Sequence, residues 1–142
     1  MDPPSPVIVH AAKDPCHVKA AGTRTLPRHI PTPSRSTWAS ATTISCSISS
    51  TRPYRCFQVT SFQIALDFLD LWYPSRREIV IRCNQGLSRA PSIALLWLAK
   101  RAKAISSSES YAAAAKAFLE IYPAYNPGGG IRTFLAAHWD EI

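Results

Sequence analysis

Hydrophobic positions are unevenly spread along this chain, and where they cluster they carry a clear period. Residues 78–101 form the clearest unit. Ile79, Val80 and Ile81 make a short β-branched run between charged Glu78 and Arg82, which predicts a buried strand. Residues 83–89 follow as a tight loop, with Gly86 at its middle where a positive φ meets no steric cost. Pro91 suits the first turn of a helix, because the N–H it lacks would be an orphan there. From Ile93 through Ala99 the chain is apolar almost all round, so a central helix packed under a sheet is expected. Lys100, Arg101 and Lys103 then complement the negative end of its dipole.

The flanking stretches have weaker periods. Phe62, Ala65, Leu66, Phe68, Leu69 and Trp72 recur at spacings of three and four, the pattern of an amphipathic helix. Thr60 with Gln63 suggests a capping box at its start, Asp67 and Asp70 fall on its polar side, and Pro74 ends it. A helix that returns to a strand is the crossover of an α/β sheet. Ser106 with Glu109 suggests a second capping box, for an Ala-rich helix over 107–121 with Tyr111, Ala115, Phe118 and Leu119 inward. Residues 122–130 are turn-rich. A last helix over 131–139 sets Phe134, Leu135 and His138 against the core. Val7, Ile8 and Val9 form a first short strand ending at His10. The fold class expected is α/β, with a central, mostly parallel sheet flanked by helices.

Composition changes this picture in one place. The 142 residues allow one domain, 1–142, with a modest core. Within it, residues 21–57 are rich in Ser, Thr, Arg and Pro and hold few core formers. Such a stretch buries too little apolar surface to offset its ordering entropy, and poor order is expected there. Its composition is foreign to the rest, as a shifted reading frame over roughly residues 22–56 would leave it.

Net charge is +7, and it is concentrated. Between Asp14 and Asp67 there is no acidic residue, while Lys19, Arg24, Arg28, Arg35, Arg52 and Arg55 lie there. A basic segment of this kind can attract RNA, DNA or acidic phosphoproteins. No aromatic stacking pattern or nucleic-acid motif accompanies it, so nucleic acid is not favoured and a solvated segment is the better reading. No apolar run reaches transmembrane length and the first residues do not form a signal peptide, so no membrane association and a cytoplasmic location are expected. Cys16, Cys46, Cys56 and Cys83 lack the paired spacing of a metal site, and adjacent Cys16 and His17 chelate poorly. No metal is expected, and reduced thiols fit the cytoplasm.

The chemistry sits in the 83–89 loop. Successive N–H groups of a tight loop that feeds a helix N-terminus form a concave anion site. Cys83 enters that site at the strand end, where a helix terminus and a nearby guanidinium favour the thiolate. Arg89 closes the loop, and its planar fork can hold two oxygens of a phosphate. A nucleophile, a ring of donors and a clamp together suit attack on phosphorus. The plainer alternative makes Cys83 a small buried hydrophobe and Arg89 a surface residue.

Cys83-Asn84-Gln85-Gly86-Leu87-Ser88-Arg89, between an apolar strand and an apolar helix, resembles the Cys-x5-Arg signature loop of the cysteine-dependent tyrosine and dual-specificity phosphatases. The resemblance covers roughly residues 60–139. It implies a phosphotyrosine-phosphatase-like fold of the dual-specificity type. Cys83 would be the catalytic nucleophile and Arg89 its catalytic partner. Asn84, Gln85, Gly86, Leu87, Ser88 and Arg89 would bind phosphate. The implied reaction is hydrolysis of phosphate monoesters, protein phosphotyrosine and/or phosphoserine and phosphothreonine, through a phosphocysteine intermediate, with no cofactor or metal. The partner is then a phosphorylated protein or another phosphate monoester. Asn126-Pro127-Gly128, ahead of the last helix, resembles the asparagine loop that supports the signature loop, with Ser92 a second support; Asn126 reads equally as an ordinary turn residue. Tyr122 and Tyr125 either wall the pocket or pack.

The chain departs from that family in three ways. Arg82 stands where His usually precedes the Cys, and Ala90 stands where a Ser or Thr hydroxyl helps the sulfur leave. The family's general acid, an Asp a few tens of residues before the Cys, has no counterpart: Asp14 is too early, and Asp67 and Asp70 belong to a helix. Two function classes follow: a phosphatase, or an impaired phosphatase-like module that binds phospho-ligands. Sulfur transfer, which uses similar thiolate loops, is a third. An arsenate reductase fits less well, because its Cys follows the first strand whereas Cys83 lies in the second half of the chain.

Overall fold

A computed structural model of the protein describes residues 6–12, 43–47, 58–83, 85–105 and 108–142, of which Ala12 and 43–47 by backbone alone. Asp14, Cys16, His17, Cys56, Asn84 and Ser106 lie outside those residues, as does the 21–57 segment apart from 43–47. The elements in chain order are β1 (Val7–Ala12), β2 (Thr43–Ser47), α1 (Val59–Trp72), β3 (Ile79–Arg82), α2 (Arg89–Lys100), α3 (Tyr111–Ile121) and α4 (Gly129–Ala137).

Among the described residues the three strands form one parallel sheet in the order β2-β1-β3. On one side of β1, Val7 faces Ile79 and Val9 faces Ile81 in register; on the other, Ile8 faces Thr43 and Ala12 faces Ser47. The N–H of Val7 starts the β1–β3 pairing by donating to the Glu78 carbonyl at 2.8 Å. Val7, Val9 and Ala11 are fully buried, the period-two face of a central strand. β1 runs two residues past His10, where Ala11 and Ala12 pair with Cys46 and Ser47 of β2 after the pairing with β3 has ended. β2 is a strand that hydropathy did not predict. It is the backbone pairing with β1 that defines it.

The helices cover the sheet. α1 buries Phe62, Ala65, Leu66, Phe68 and Leu69, the residues its period selected, while Trp72 at its end is half-buried under the Arg77 guanidinium. Its start differs from expectation. Gln58 is the N-cap, extended and without a side-chain bond, so Thr60 is already helical and no Thr60–Gln63 box forms. Gln63 instead donates to the Glu141 carbonyl. A 3-10 turn at Tyr73–Ser75 containing Pro74 ends the helix as expected.

α2 is the buried helix of the molecule, with Ala90, Pro91, Ser92, Ile93, Leu95, Leu96 and Ala99 inside. It touches β1, β3, α1 and α3. Lys100 and Arg101 do more than meet its dipole: Lys100 donates to the Trp139 carbonyl, and Arg101 pairs with Asp67 at 3.0 Å and with Asp70. α3 begins at Tyr111 rather than at 107. Ser110 is the N-cap, its hydroxyl accepting the Ala113 N–H at 3.2 Å, so capping occurs beside the Tyr111 side chain that must be buried. Phe118 is buried with Tyr111, Ala115 is half-buried, and Leu119 points out at 41% exposure, against its expected inward place. α4 spans 129–137, burying Ile131 and Leu135 and stacking Phe134 on Phe62 at 5.7 Å. His138 lies just past its end, against the Phe134 ring. No described helix is long and apolar enough to cross a membrane.

Candidate active site

The site grows from the end of β3. Sheet pairing stops at Arg82, and Cys83 follows half-buried at the point where the backbone turns away. The turn needs a residue with positive φ, and Gly86 supplies it at +69°. Ser88 then caps α2, whose first residue is Arg89. The segment thus delivers backbone N–H groups to the thiol from both sides. Burial pushes the Cys83 thiol up, but hydrogen bonds from the N–H groups of Ala90, Gly86 and Gln85, with the Arg89 charge, hold it below its ordinary value. The group is therefore predisposed to be a thiolate.

Arg89 is anchored from behind. Its Nη1 donates to the Ala11 carbonyl on central strand β1 at 3.0 Å, across 78 positions of sequence. The fork has more N–H donors than this bond uses.

The loop carbonyls are held as firmly. Tyr122 Oη donates to the Gly86 carbonyl at 2.9 Å, and the Asn126 N–H donates to the Leu87 carbonyl at 2.8 Å. The Ser88 carbonyl accepts twice from Ser92, from N–H at 3.0 Å and from Oγ at 2.6 Å. In a trans peptide the C=O and the following N–H point opposite ways. Three consecutive carbonyls are drawn toward the 122–128 loop and α2. The N–H groups of Leu87, Ser88 and Arg89 therefore point away from those partners. The Gly128 N–H completes the lacing by donating to Ser88 Oγ at 3.1 Å.

The structure brings Cys83, Gln85, Gly86, Leu87, Ser88 and Arg89 together on one loop, with Asn84 outside the described residues. Leu87 is exposed at its rim. Asn126 reaches the loop through its backbone N–H. Ser92 lies fully buried beneath, bonded to Ser88 and, at 3.0 Å, to the Tyr125 hydroxyl. Tyr125 is buried, packs edge-on against Phe118 and shares a 2.9 Å bond with the Tyr111 hydroxyl; burial pushes its phenol up. Tyr122 and Tyr125 thus act through hydroxyls as well as rings, and Tyr111 joins them. The helix period marks Tyr111 as inward, but no local period marks these hydroxyl pairings, whose partners are 14 to 36 residues apart.

Asp67 and Asp70 lie on α1, as their place on a helix implied. Asp67 and Asp70 are bound to Arg101, and Asp70 also accepts the Trp97 indole N–H at 3.0 Å. Arg101 follows the twelve residues of α2, at the opposite end of that helix from Arg89. The separation along the helix is about 18 Å, too far for proton transfer at Cys83. Ala90 is buried and offers its N–H to the sulfur, but no hydroxyl. Among the described residues no group of three or more His, Cys, Asp or Glu could hold a metal.

Neither a protein-family model nor a curated protein sequence matches the chain. Solved structures do. A leucine rich repeat and phosphatase domain containing protein from Entamoeba histolytica superposes with a TM-score of 0.59 at 12% identity, covering 96% of this chain and 73% of that one. A human tyrosine phosphatase-like serine/threonine/tyrosine-interacting protein superposes with a TM-score of 0.61 at 12% identity, covering 96% and 78%. At such identity the likeness shows the fold. The chain has the α/β architecture of a phosphatase domain, a small parallel sheet flanked by helices.

Proposed function

We propose that the protein is a cysteine-dependent phosphatase, a single domain over 1–142 that acts in the cytoplasm on phosphate monoesters, protein phosphotyrosine and/or phosphoserine and phosphothreonine. The observation that carries this reading is the loop geometry, with Cys83 directly after β3, Gly86 at a φ of +69° and Arg89 opening α2 while tied to the Ala11 carbonyl, in a fold shared with phosphatase domains. Cys83 Sγ attacks phosphorus, the bond from phosphorus to the leaving oxygen breaks, and the alcohol departs with a proton taken from solvent or an acid. Arg89 and the N–H groups of Leu87, Ser88 and Arg89 stabilise the charge of the five-coordinate transition state. Water then attacks phosphorus, the S–P bond breaks, and phosphate leaves with the thiolate restored.

A second reading is a phosphatase-like module that binds phospho-ligands and turns them over poorly. Ala90 favours it, together with the engagement of Asp67 and Asp70 by Arg101. General acid catalysis contributes about 100- to 10,000-fold, so its loss would be felt most on poor leaving groups.

Hydrolysis of nitrophenyl phosphate without metal, by wild type and Cys83→Ser, decides between them. Activity in the wild type alone is expected. Equal activity in both removes Cys83 from the mechanism. Inactivity in both, with vanadate still protecting Cys83 from alkylation, establishes the binding module. An enzyme without its acid retains nitrophenyl phosphate and fails on phosphoserine.

A further inference from the structure

Beneath the loop runs a line of hydroxyls that the reaction above does not use. Tyr111 Oη lies 2.9 Å from Tyr125 Oη, Tyr125 Oη 3.0 Å from Ser92 Oγ, and Ser92 Oγ 2.6 Å from the Ser88 carbonyl oxygen. Valence sets the direction of this line. A carbonyl only accepts, so the one hydroxyl proton of Ser92 goes to Ser88. Tyr125 must then donate to Ser92, and Tyr111 to Tyr125. All three residues are buried, at 0% exposure for Ser92, 5% for Tyr125 and 6% for Tyr111. Buried hydroxyls are costly unless bonded, and these come from α3, the 122–128 loop and α2 to end on one carbonyl. That carbonyl belongs to the peptide whose N–H is Arg89's, and the next N–H, of Ala90, bonds Cys83.

We propose that Tyr125 and Tyr111 are positioning residues of this loop: through Ser92 they hold the Ser88–Arg89 peptide with its N–H turned toward the bound anion. The inference rests on the phosphate-binding reading of the loop. A hydroxyl that accepts a hydrogen bond donates its own more strongly, so the line holds Ser88 harder than Ser92 would alone. Tyr125→Phe removes the link and keeps the ring that packs edge-on against Phe118 at 5.3 Å. Loosened, the Ser88–Arg89 peptide no longer aims its N–H, and the neighbouring donor to Cys83 shifts with it.

The test is vanadate protection of Cys83 against iodoacetamide, measured across pH on the full chain. Tyr125→Phe is expected to weaken protection about 3- to 10-fold, the worth of roughly one hydrogen bond. The pH of half-maximal alkylation should rise with it. Tyr111→Phe, one link further back, should show the same changes in smaller degree. In a Ser92→Ala background, Tyr125→Phe should add no further loss, because the line is already cut. Additive losses overturn the positioning role. So does a lowered urea midpoint with protection and pH midpoint unmoved, which is what simple packing would produce. Absence of vanadate protection in the wild type overturns the phosphate loop itself, and so separates that failure from failure of the hydroxyl line.

Discussion

Replacing Gly86 by alanine isolates the cost of the positive φ on which the loop depends. At +69°, an alanine Cβ would stand 3.6 Å from Tyr122 Oη, an ordinary contact. Space therefore does not decide the outcome; the backbone does. The left-handed region costs an L-residue roughly 1–2 kcal/mol. Gly128→Ala is the control. Gly128 has φ of −59°, and nothing lies within 4 Å of a Cβ added there. Alanine adopts that conformation freely, so a change within about 0.5 kcal/mol of wild type is expected. Urea unfolding followed by tryptophan fluorescence measures both. With a slope of about 2 kcal/mol per molar, the Gly86→Ala midpoint should fall by about 0.5–1 M while Gly128→Ala stays near wild type. The Gly86→Ala variant should also lose vanadate protection of Cys83, because a relaxed φ breaks the Tyr122 bond to the Gly86 carbonyl. An unchanged Gly86→Ala midpoint, or an equal fall for Gly128→Ala, would refute the assignment of the cost to φ.

Ala90→Ser restores a hydroxyl beside the sulfur and should speed steady-state turnover of nitrophenyl phosphate while leaving the burst unchanged; no burst with either residue, in single-turnover kinetics, defeats this account. Asp70→Asn weakens the Arg101 pairing between α1 and α2 and should cost about 0.5–1 kcal/mol by urea unfolding, with hydrolysis intact. A tenfold loss of rate in a fully folded Asp70→Asn would instead give Asp70 a part in proton transfer. Cys83 links stability to pH. Its folded-state pKa is depressed, so its contribution is complete above the unfolded thiol value of about 8.5 and is lost as pH falls through the folded one. Relative to Cys83→Ser, the wild-type urea midpoint should therefore climb from neutral pH to about pH 9. A difference that is flat over that range contradicts the lowered thiol.

By itself the sequence determined those features whose cause is local. Ile79–Arg82 pairs as a strand because β-branched residues suit an extended backbone, though the strand is half-buried at Ile79, Val80 and Ile81 and exposed at Arg82 rather than buried as its run of apolar residues predicted. Gly86 takes positive φ because no other residue does so without strain, and Phe62, Ala65, Leu66, Phe68 and Leu69 share one buried face because their spacing matches the helix turn. The Cys83–Arg89 spacing was legible for the same reason. Helix starts were less so: Ser110 caps α3, and Val59 preceded the Thr60 cap, because burial of side chains such as Tyr111 chooses among neighbouring caps of similar strength. Tertiary structure alone decided the rest. The order β2-β1-β3, the hold of the Ala11 carbonyl on Arg89, and the capture of Asp67 and Asp70 by Arg101 all join residues far apart in sequence. The same is true of the hydroxyls of Tyr122, Tyr125 and Tyr111. A hydrogen bond needs its partner within about 3 Å, and that proximity is a property of the packed chain and of no local pattern.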